Sequence, residues 1–195
     1  MARSQSPLSL EYILLGFLYQ DPIHGYDLYK KISHFESISL VWHIKQNLLY
    51  ALLDKLKENG LLISNIVPGE AYLMRKEYRI TSAGRRAFLN WVTSPVRRGR
   101  DMRQEFLAKL YFAQKLGADK SLALIEKQKA ECAEWLSSLQ INLSKTKDEQ
   151  DFERLIFQYR ISQTKAMIEW LNDGGIAIHH NLTPNSRVEP SWNSV

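Results

Sequence analysis

Three stretches of the sequence specify its architecture: HGYDLYKKI (24–32), VWHIKQNLLYALLDKLKENGLL (41–62) and KEYRITSAGRRAFLNW (76–91). The first predicts a helix, and the second predicts a two-faced helix that ends at Gly60. The third predicts the return strand of a short hairpin followed by another helix. A helix-turn-helix followed by a two-stranded wing is typical of DNA-reading domains, because its second helix fits the major groove.

The second helix, predicted from His43 to Lys57, carries most of this interpretation. Its leucines recur at about 100° per residue and are expected on one buried side: Leu48, Leu49, Leu52, Leu53 and Leu56. The opposite side presents Gln46, Asn47, Tyr50, Asp54 and Lys57. Glutamine and asparagine can pair bidentately with adenine, and recognition helices touch bases through their amino-terminal half. An ordinary amphipathic helix has the same periodicity, and the neighbouring motifs favour the DNA-reading interpretation.

A hairpin is predicted next along the chain. Segments rich in β-branched and aromatic residues flank the turn-forming pair Pro68-Gly69. Arg75 and Lys76 are expected near the tip, where they can contact phosphate, and solvated loop charges are the alternative. Thr81 is expected to cap the helix that follows.

These motifs resemble those of the PadR family of bacterial transcriptional regulators. In that family a Gly-Tyr pair opens the second helix, a tyrosine lies centrally in the recognition helix, and a Tyr-x-Ile/Leu-Thr-x-x-Gly segment closes the wing. The matching residues are Gly25-Tyr26, Tyr50 and Tyr78–Gly84. The family usually has Gly-Thr/Ser before the central Leu-Tyr and Pro after it, whereas this chain has Gln46-Asn47-Leu48-Leu49-Tyr50-Ala51. Alanine suits a helix interior, so the departure bears on the DNA sequence read and leaves the fold intact.

The resemblance implies a winged helix-turn-helix repressor whose long carboxy-terminal helices, of the virulence-activator type, form a homodimer. It also implies small aromatic effectors in some members. Together with the residue pattern, it yields the residues expected to contact double-stranded DNA: Tyr26, Lys45, Gln46, Asn47, Tyr50, Arg75 and Lys76.

Beyond the PVRRGR linker at 95–100 the pattern changes to long helices. One is predicted over Met102–Leu116, a second is capped by Asp119, and a third runs from Glu149 to Leu171 and stops at Asn172–Gly175. Helices of about 23 residues extend roughly 35 Å, too far to bury their apolar stripes against one small domain. An antiparallel coiled-coil-like homodimer is the simplest partner, and an intramolecular bundle is the alternative.

The predicted fold class is therefore mainly α with a small β-wing. Residues 1–95 form the winged helix-turn-helix domain, 96–175 form the helical dimerisation domain, and 176–195 form a flexible tail. Trp91, Trp135 and Trp170 lie in or beside the predicted linker and dimer helices, where aromatic faces could hold a planar effector. Packing in the core or the dimer interface is the alternative for each tryptophan.

Composition excludes several function classes without identifying one. The 195 residues include 26 Lys and Arg against 21 Asp and Glu, an excess too mild to indicate nucleic acid by itself. The histidines are scattered, Cys132 is the sole cysteine, and there is no phosphate loop, so we expect no catalytic site, metal or cofactor. No apolar segment approaches a membrane span and no signal peptide is visible, which favours the cytoplasm. Two hypotheses remain: a dimeric DNA-binding regulator, or a helical module whose winged helix docks protein.

Overall fold

The computed structural model describes residues 9–33, 44–68, 74–147 and 150–180, and these confirm a mainly helical chain with a small β-wing. They group into two compact units. The amino-terminal unit comprises the described parts of Met1–Ser94 and Arg100–Phe112, and the carboxy-terminal unit comprises those of Pro95–Gly99 and Ala113–Val195. The elements are α1 (Ser9–Phe17), β1 (Ile23–His24), α2 (Gly25–Ser33), α3 (Gln46–Glu58), β2 (Leu62–Pro68), β3 (Met74–Ile80), α4 (Ser82–Val92), a 3-10 helix (Gly99–Arg103), α5 (Glu105–Leu116), α6 (Ala118–Lys145) and α7 (Asp151–His180).

Helix α3 is the predicted recognition helix, but the predicted start at His43 was wrong, because the helix begins at Gln46 after Lys45, an N-cap residue with extended backbone. Its buried stripe has the expected i, i+3, i+4, i+7 spacing. The prediction was wrong for Leu48, which is 41% exposed. Leu48 lies about 100° around the axis from Leu49, so it falls at the edge of the stripe and faces outward. The leucines that do anchor the helix are Leu49, Leu52, Leu53 and Leu56.

The prediction that Gly60 terminates α3 is confirmed, since the helix has its last residue at Glu58 and its C-cap at Asn59. Gly60 has a φ of 69°, a left-handed conformation that glycine adopts without strain. Its N–H donates to the Lys57 carbonyl at 2.9 Å, and the Leu61 N–H donates to the Leu56 carbonyl at 2.9 Å. This pair of bonds satisfies carbonyls at the helix terminus and turns the chain into β2.

The wing is a three-stranded antiparallel sheet with the order β1-β3-β2, one strand more than the sequence predicted. Strands β2 and β3 form the expected hairpin, with a register from Leu62↔Ile80 to Pro68↔Met74. Strand β1 pairs Ile23 with Tyr78. A two-residue segment carries no periodicity, so its strand character depends on the hydrogen-bond partners that β3 supplies.

Thr81 caps α4 as predicted, because its side-chain oxygen accepts the N–H of Gly84 at 3.0 Å. The same hydroxyl donates to the Gly60 carbonyl at 2.8 Å, which ties the cap to the end of α3. Gly84 allows this close approach, since a Cβ there would clash with the Leu61 carbonyl oxygen.

An aromatic cluster forms the centre of the amino-terminal unit. Trp91 of α4 stacks on Tyr12 of α1, with ring centroids 5.4 Å apart and 7° between the planes. Phe112 of α5 contacts Phe88 edge-on at 5.5 Å and Phe17 edge-on at 5.4 Å. Helices α1, α4 and the first part of α5 therefore share one core.

Two charged residues of α5 are attached to this cluster. Glu105 accepts the indole N–H of Trp91 at 3.0 Å and pairs with Lys109 at 3.2 Å. The Lys109 ammonium also donates to the Ser94 carbonyl at 2.9 Å, and it lies 5.4 Å from the Trp91 ring centre. These contacts compensate the burial of the lysine charge.

The carboxy-terminal unit is built on the antiparallel pair α6 and α7. Part of the predicted linker belongs to this unit, because Val96 is buried and its backbone pairs with the buried Gln128 side chain on α6. The Val96 N–H donates to Gln128 Oε1 at 2.7 Å, and Gln128 Nε2 donates to the Val96 carbonyl at 3.2 Å. Arg97 pairs with Glu131. Cys132 is buried one turn further along α6, and burial raises the pKa of its thiol.

Several predicted helix ends were wrong. Helix α5 begins at Glu105 after a 3-10 turn, and the cap of α6 is Gly117, whose φ of 138° is beyond the reach of most side chains. Asp119, the expected cap, lies in the first turn of α6 instead. Helix α7 does not stop at Asn172–Gly175 but continues to His180, so the first residues of the predicted tail are helical. Residues 181–195 and Glu149 lie outside the described part of the chain.

Candidate nucleic-acid interface

The exposed side of α3 carries the polar side chains that were expected to read bases. Gln46 and Asn47 are exposed in its first turn, and Lys45 is exposed at the N-cap position. Tyr50, one turn further, is half-buried. Because the leucine stripe is committed to the core, these side chains face away from it.

Gly25 positions Tyr50. A Cβ at residue 25 would lie 2.7 Å from Cε1 of Tyr50 and 3.2 Å from Cε2 of Tyr78. The absence of a side chain therefore lets the Tyr50 ring pack against the junction of β1 and α2. This contact is the physical reason for a glycine before Tyr26 in the motif that the sequence contains.

An open cavity of about 310 Å³ lies where α2, α3 and the wing meet. It brings together four residues that were predicted to contact DNA, namely Tyr26, Tyr50, Arg75 and Lys76, whereas Lys45, Gln46 and Asn47 lie outside its wall. His24 and Asp27 also line it and were missed by the sequence prediction. Their only sequence signal is that they flank the Gly-Tyr pair. Among the described residues, the lining consists of His24, Gly25, Tyr26, Asp27, Tyr50, Arg75 and Lys76.

Lys76 is held between the wing and the recognition helix. Its ammonium donates to Asp54 Oδ1 at 3.1 Å and lies 5.2 Å from the centre of the Tyr78 ring. The pKa of Lys76 is raised above its ordinary value, first by the hydrogen bond to Asp54 and then by that to Tyr78. Burial raises the pKa of the Tyr78 phenol, while the neighbouring ammonium opposes that rise. Lys76 therefore remains a cation at neutral pH.

The side chain of Asn47 is already engaged. Its amide oxygen accepts the N–H of Leu48 at 2.9 Å, which satisfies one donor of the first helical turn. Bidentate pairing with adenine uses both the oxygen and the nitrogen of the amide. The amide oxygen keeps a second lone pair, so its bond to Leu48 leaves it able to accept a hydrogen bond from adenine.

The three tryptophans predicted to hold an effector have different environments. Trp91 is buried in the aromatic cluster of the amino-terminal unit, with its N–H bonded to Glu105. In the carboxy-terminal unit, Trp135 of α6 is half-buried and Trp170 of α7 is 44% exposed.

Within the described ranges, no three or more His, Cys, Asp or Glu side chains are arranged to hold a metal ion. In the same part of the chain, no helix combines the length and the apolar character that crossing a membrane requires.

Known proteins resemble this chain along most of its length. The profile described as "Transcriptional regulator PadR-like family" matches residues 14–90, and the profile "Virulence activator alpha C-term" matches residues 102–173. The negative transcriptional regulator PadR of Bacillus subtilis (strain 168) is 26% identical over 172 residues, which cover 83% of this chain and 93% of that protein.

Solved structures resemble it as well. Bacillus subtilis PadR in complex with operator DNA is 23% identical with a TM-score of 0.46, covering 89% of this chain and 99% of that one. The smu.1604c protein of Streptococcus mutans UA159 is 22% identical with a TM-score of 0.41, covering 84% of this chain and 96% of that one.

Proposed function

This chain belongs to the Transcriptional regulator PadR-like family, and from that premise we propose that it is a dimeric repressor that binds specific sites in double-stranded DNA. One observation carries the proposal: Tyr26, Tyr50, Arg75 and Lys76 line one cavity beside the exposed first turn of α3. The name of the Bacillus subtilis relative, a negative transcriptional regulator, supports repression.

In the proposed complex, α3 enters the major groove with its amino-terminal half toward the bases. Gln46 and Asn47 are the side chains that can distinguish base pairs, because their amides match the donor and acceptor pattern of adenine. Arg75 on β3 contacts the phosphate backbone, a contact that positions the protein and carries no sequence information. Tyr50 and Tyr26 fill the space between the helix and the wing, and Tyr50 thereby holds α3 at the angle at which Gln46 and Asn47 meet the bases.

We further propose that the carboxy-terminal helices pair two copies of the chain. Helix α7 has 30 residues, which correspond to about 45 Å at 1.5 Å per residue. Its first half leaves an apolar stripe of i, i+3, i+4, i+7 spacing 41 to 73% exposed. A second copy is the occupant we assign, since a two-fold dimer aligns two recognition helices with half-sites about one helical turn apart. The stripe consists of Phe152, Leu155, Ile156 and Tyr159.

A small aromatic effector is part of the proposal. The exposed ring of Trp170 and the half-buried ring of Trp135 in the carboxy-terminal unit offer faces for a planar molecule. Titration with aromatic acids should quench tryptophan fluorescence and weaken DNA binding together. If no aromatic acid changes either signal, this part of the proposal fails.

DNA binding is tested by measuring duplex affinity as a function of salt, after operator fragments have been selected from genomic DNA. The logarithm of the affinity should fall linearly with the logarithm of the salt concentration, because bound phosphates release counterions. Gln46→Ala or Tyr50→Ala should cost about 1–3 kcal/mol and relax base preference. Arg75→Ala should weaken binding to all sequences alike and flatten the salt dependence.

Two control variants match these changes in the carboxy-terminal unit. Gln140→Ala removes an exposed amide, and Lys145→Ala removes an exposed charge. Both should leave operator affinity unchanged. Feeble, sequence-blind binding by the wild type would instead favour the alternative, a module that docks protein through its winged helix.

Dimerisation is tested by sedimentation of the full chain. Leu155→Lys places a charge in the apolar stripe and should shift the protein from dimer toward monomer. Gln158→Lys adds the same charge at an exposed position beside the stripe and should leave the dimer intact. Equal effects of the two substitutions would contradict the assignment of this face.

A further inference from the structure

The ion pair between Asp54 and Lys76 is a feature of the candidate interface that works against DNA binding. Asp54 lies on the recognition helix and Lys76 on the wing, with 3.1 Å between the carboxylate oxygen and the ammonium nitrogen. A carboxylate and a DNA phosphate are both anionic oxygen acceptors for the same ammonium. Pairing with Asp54 offsets the charge of the ammonium and uses one of its three N–H donors, so a phosphate binds Lys76 more strongly once Asp54 gives it up.

We propose that Asp54 is an internal competitor that withholds Lys76 from phosphate and so lowers sequence-independent binding to DNA. The inference rests on the proposed function and adds a residue that the sequence analysis had placed only on the solvated face of the helix. Sequence-independent binding draws essentially all its free energy from phosphate contacts, so withholding one cation acts on it directly.

The geometry around the pair favours such a competition. Both side chains are partly exposed, at 42% for Lys76 and 57% for Asp54, so a phosphate can reach the ammonium. The Tyr78 ring beneath Lys76 keeps the ammonium near the helix, where Asp54 can recapture it. Exposed ion pairs of this kind are weak enough to exchange partners.

The test compares wild type with Asp54→Asn in the full chain, using a duplex of random sequence. The neutral amide releases Lys76, so affinity should rise about 1.4- to 5-fold for each chain of the dimer, the range expected from an exposed ion pair. The salt dependence should steepen by about 0.9 in logarithmic slope for each chain, or about 1.8 for the dimer, because each chain neutralises one more phosphate. Asp27→Asn is the matched control, since Asp27 lines the same cavity and its removal reports the general effect of losing a carboxylate.

Acylation of lysines followed by mass spectrometry gives a direct second measurement. Random duplex should leave the labelling of Lys76 unchanged in the wild type and should reduce it in Asp54→Asn. Equal protection of Lys76 in both proteins, or equal changes of slope in Asp54→Asn and Asp27→Asn, would overturn the inference while leaving the proposed function standing. A wild type that shows no salt-dependent binding to any duplex would instead overturn the proposed function.

Discussion

Lys109 shows how single residues determine stability in this chain. Its side chain is only 4% exposed, and it is stabilised by Glu105, the Ser94 carbonyl and the face of Trp91. A buried cation costs free energy unless each of its donors has a partner. Lys109 therefore stabilises the fold only when all of these contacts are present. Removing one of the charged partners leaves the other as an uncompensated buried charge.

Replacing Lys109 by methionine should lower the free energy of unfolding by about 2–4 kcal/mol, because the half-buried Glu105 loses its counter-charge. Urea unfolding of the full chain measures this. Lys120→Met removes the exposed pair with Asp119 and should cost less than about 1 kcal/mol. Similar losses in the two variants would show that burial does not govern the effect.

The raised pKa of Tyr111 predicts that the protein loses stability at alkaline pH. Burial raises the pKa of Tyr111 to about 12, above the ordinary value of 10.0. Its contribution is complete below pH 10 and is lost between pH 10 and about 12, because the unfolded chain releases the phenolic proton first. Tyr111→Phe should therefore lose less stability than the wild type between pH 9 and pH 11, as measured by denaturant unfolding. A steeper loss in the variant would contradict this sign.

At the scale of single residues, the sequence indicated on which side of a helix a side chain lies, but not which partner it bonds to. Periodicity placed Gln46 and Tyr50 on the outer side of α3 and the four buried leucines on the inner side. It could not show that Asn47 bonds to the Leu48 N–H or that Asp54 holds Lys76, because both depend on side-chain geometry. It was wrong for Leu48 because a stripe of width near 100° has an uncertain edge.

At the scale of elements, α7 is the clearest departure from the expected pattern. Gly174 and Gly175 were expected to end the helix, yet the helix continues to His180. A glycine within a helix costs conformational entropy but does not prevent the helical hydrogen bonds from forming. Packing against α6, shown by Gly175 next to Ile125, outweighs this cost.

Gly174→Ala should raise the free energy of unfolding by about 0.5–1 kcal/mol, because alanine is the better helix former and its Cβ would meet open space. Thermal and urea unfolding measure the change. Gly84→Ala in α4 is the opposing control, since its Cβ would clash with the Leu61 carbonyl oxygen, and it should lower the free energy of unfolding. Changes of the same sign would contradict the helical geometry at Gly174.

Elements with their own signals were predicted well. The cap at Thr81 and the left-handed Gly60 could be predicted because threonine is preferred at the N-cap of a helix and glycine just beyond the C-cap. Strand β1 had no such signal, since it consists of two residues and exists through its pairing with β3. His24 lies in this strand, so its place in the wall of the cavity was not predicted from the sequence.

At the scale of the whole molecule, the two units do not follow the chain order strictly. Residues 100–112 belong to the amino-terminal unit, where Phe112 packs on Phe17 and Phe88. Residues 95–99 belong to the other unit through the pairing of Val96 with Gln128. A linear sequence pattern cannot reveal this exchange, because it shows where helices lie but not which core each one joins.

A fragment of residues 1–116 should therefore melt at a higher temperature than a fragment of residues 1–95. The shorter one lacks the aromatic and charged contacts that α5 makes with Trp91 and its neighbours. Calorimetry of the two fragments measures the difference. Phe112→Ala in the longer fragment should remove part of the increase in melting temperature. Equal melting temperatures of the two fragments would contradict the assignment of residues 100–112 to the amino-terminal unit.

The buried thiol of the carboxy-terminal unit has a practical consequence for spectroscopy. Cys132 is the sole cysteine in the chain, it is fully enclosed, and its raised pKa keeps the reactive thiolate scarce. A maleimide dye should therefore attach selectively to a cysteine introduced at Ile66, which is exposed on the wing. The variant Ile66→Cys can therefore be labelled with a single fluorophore on its wing while Cys132 is left in place.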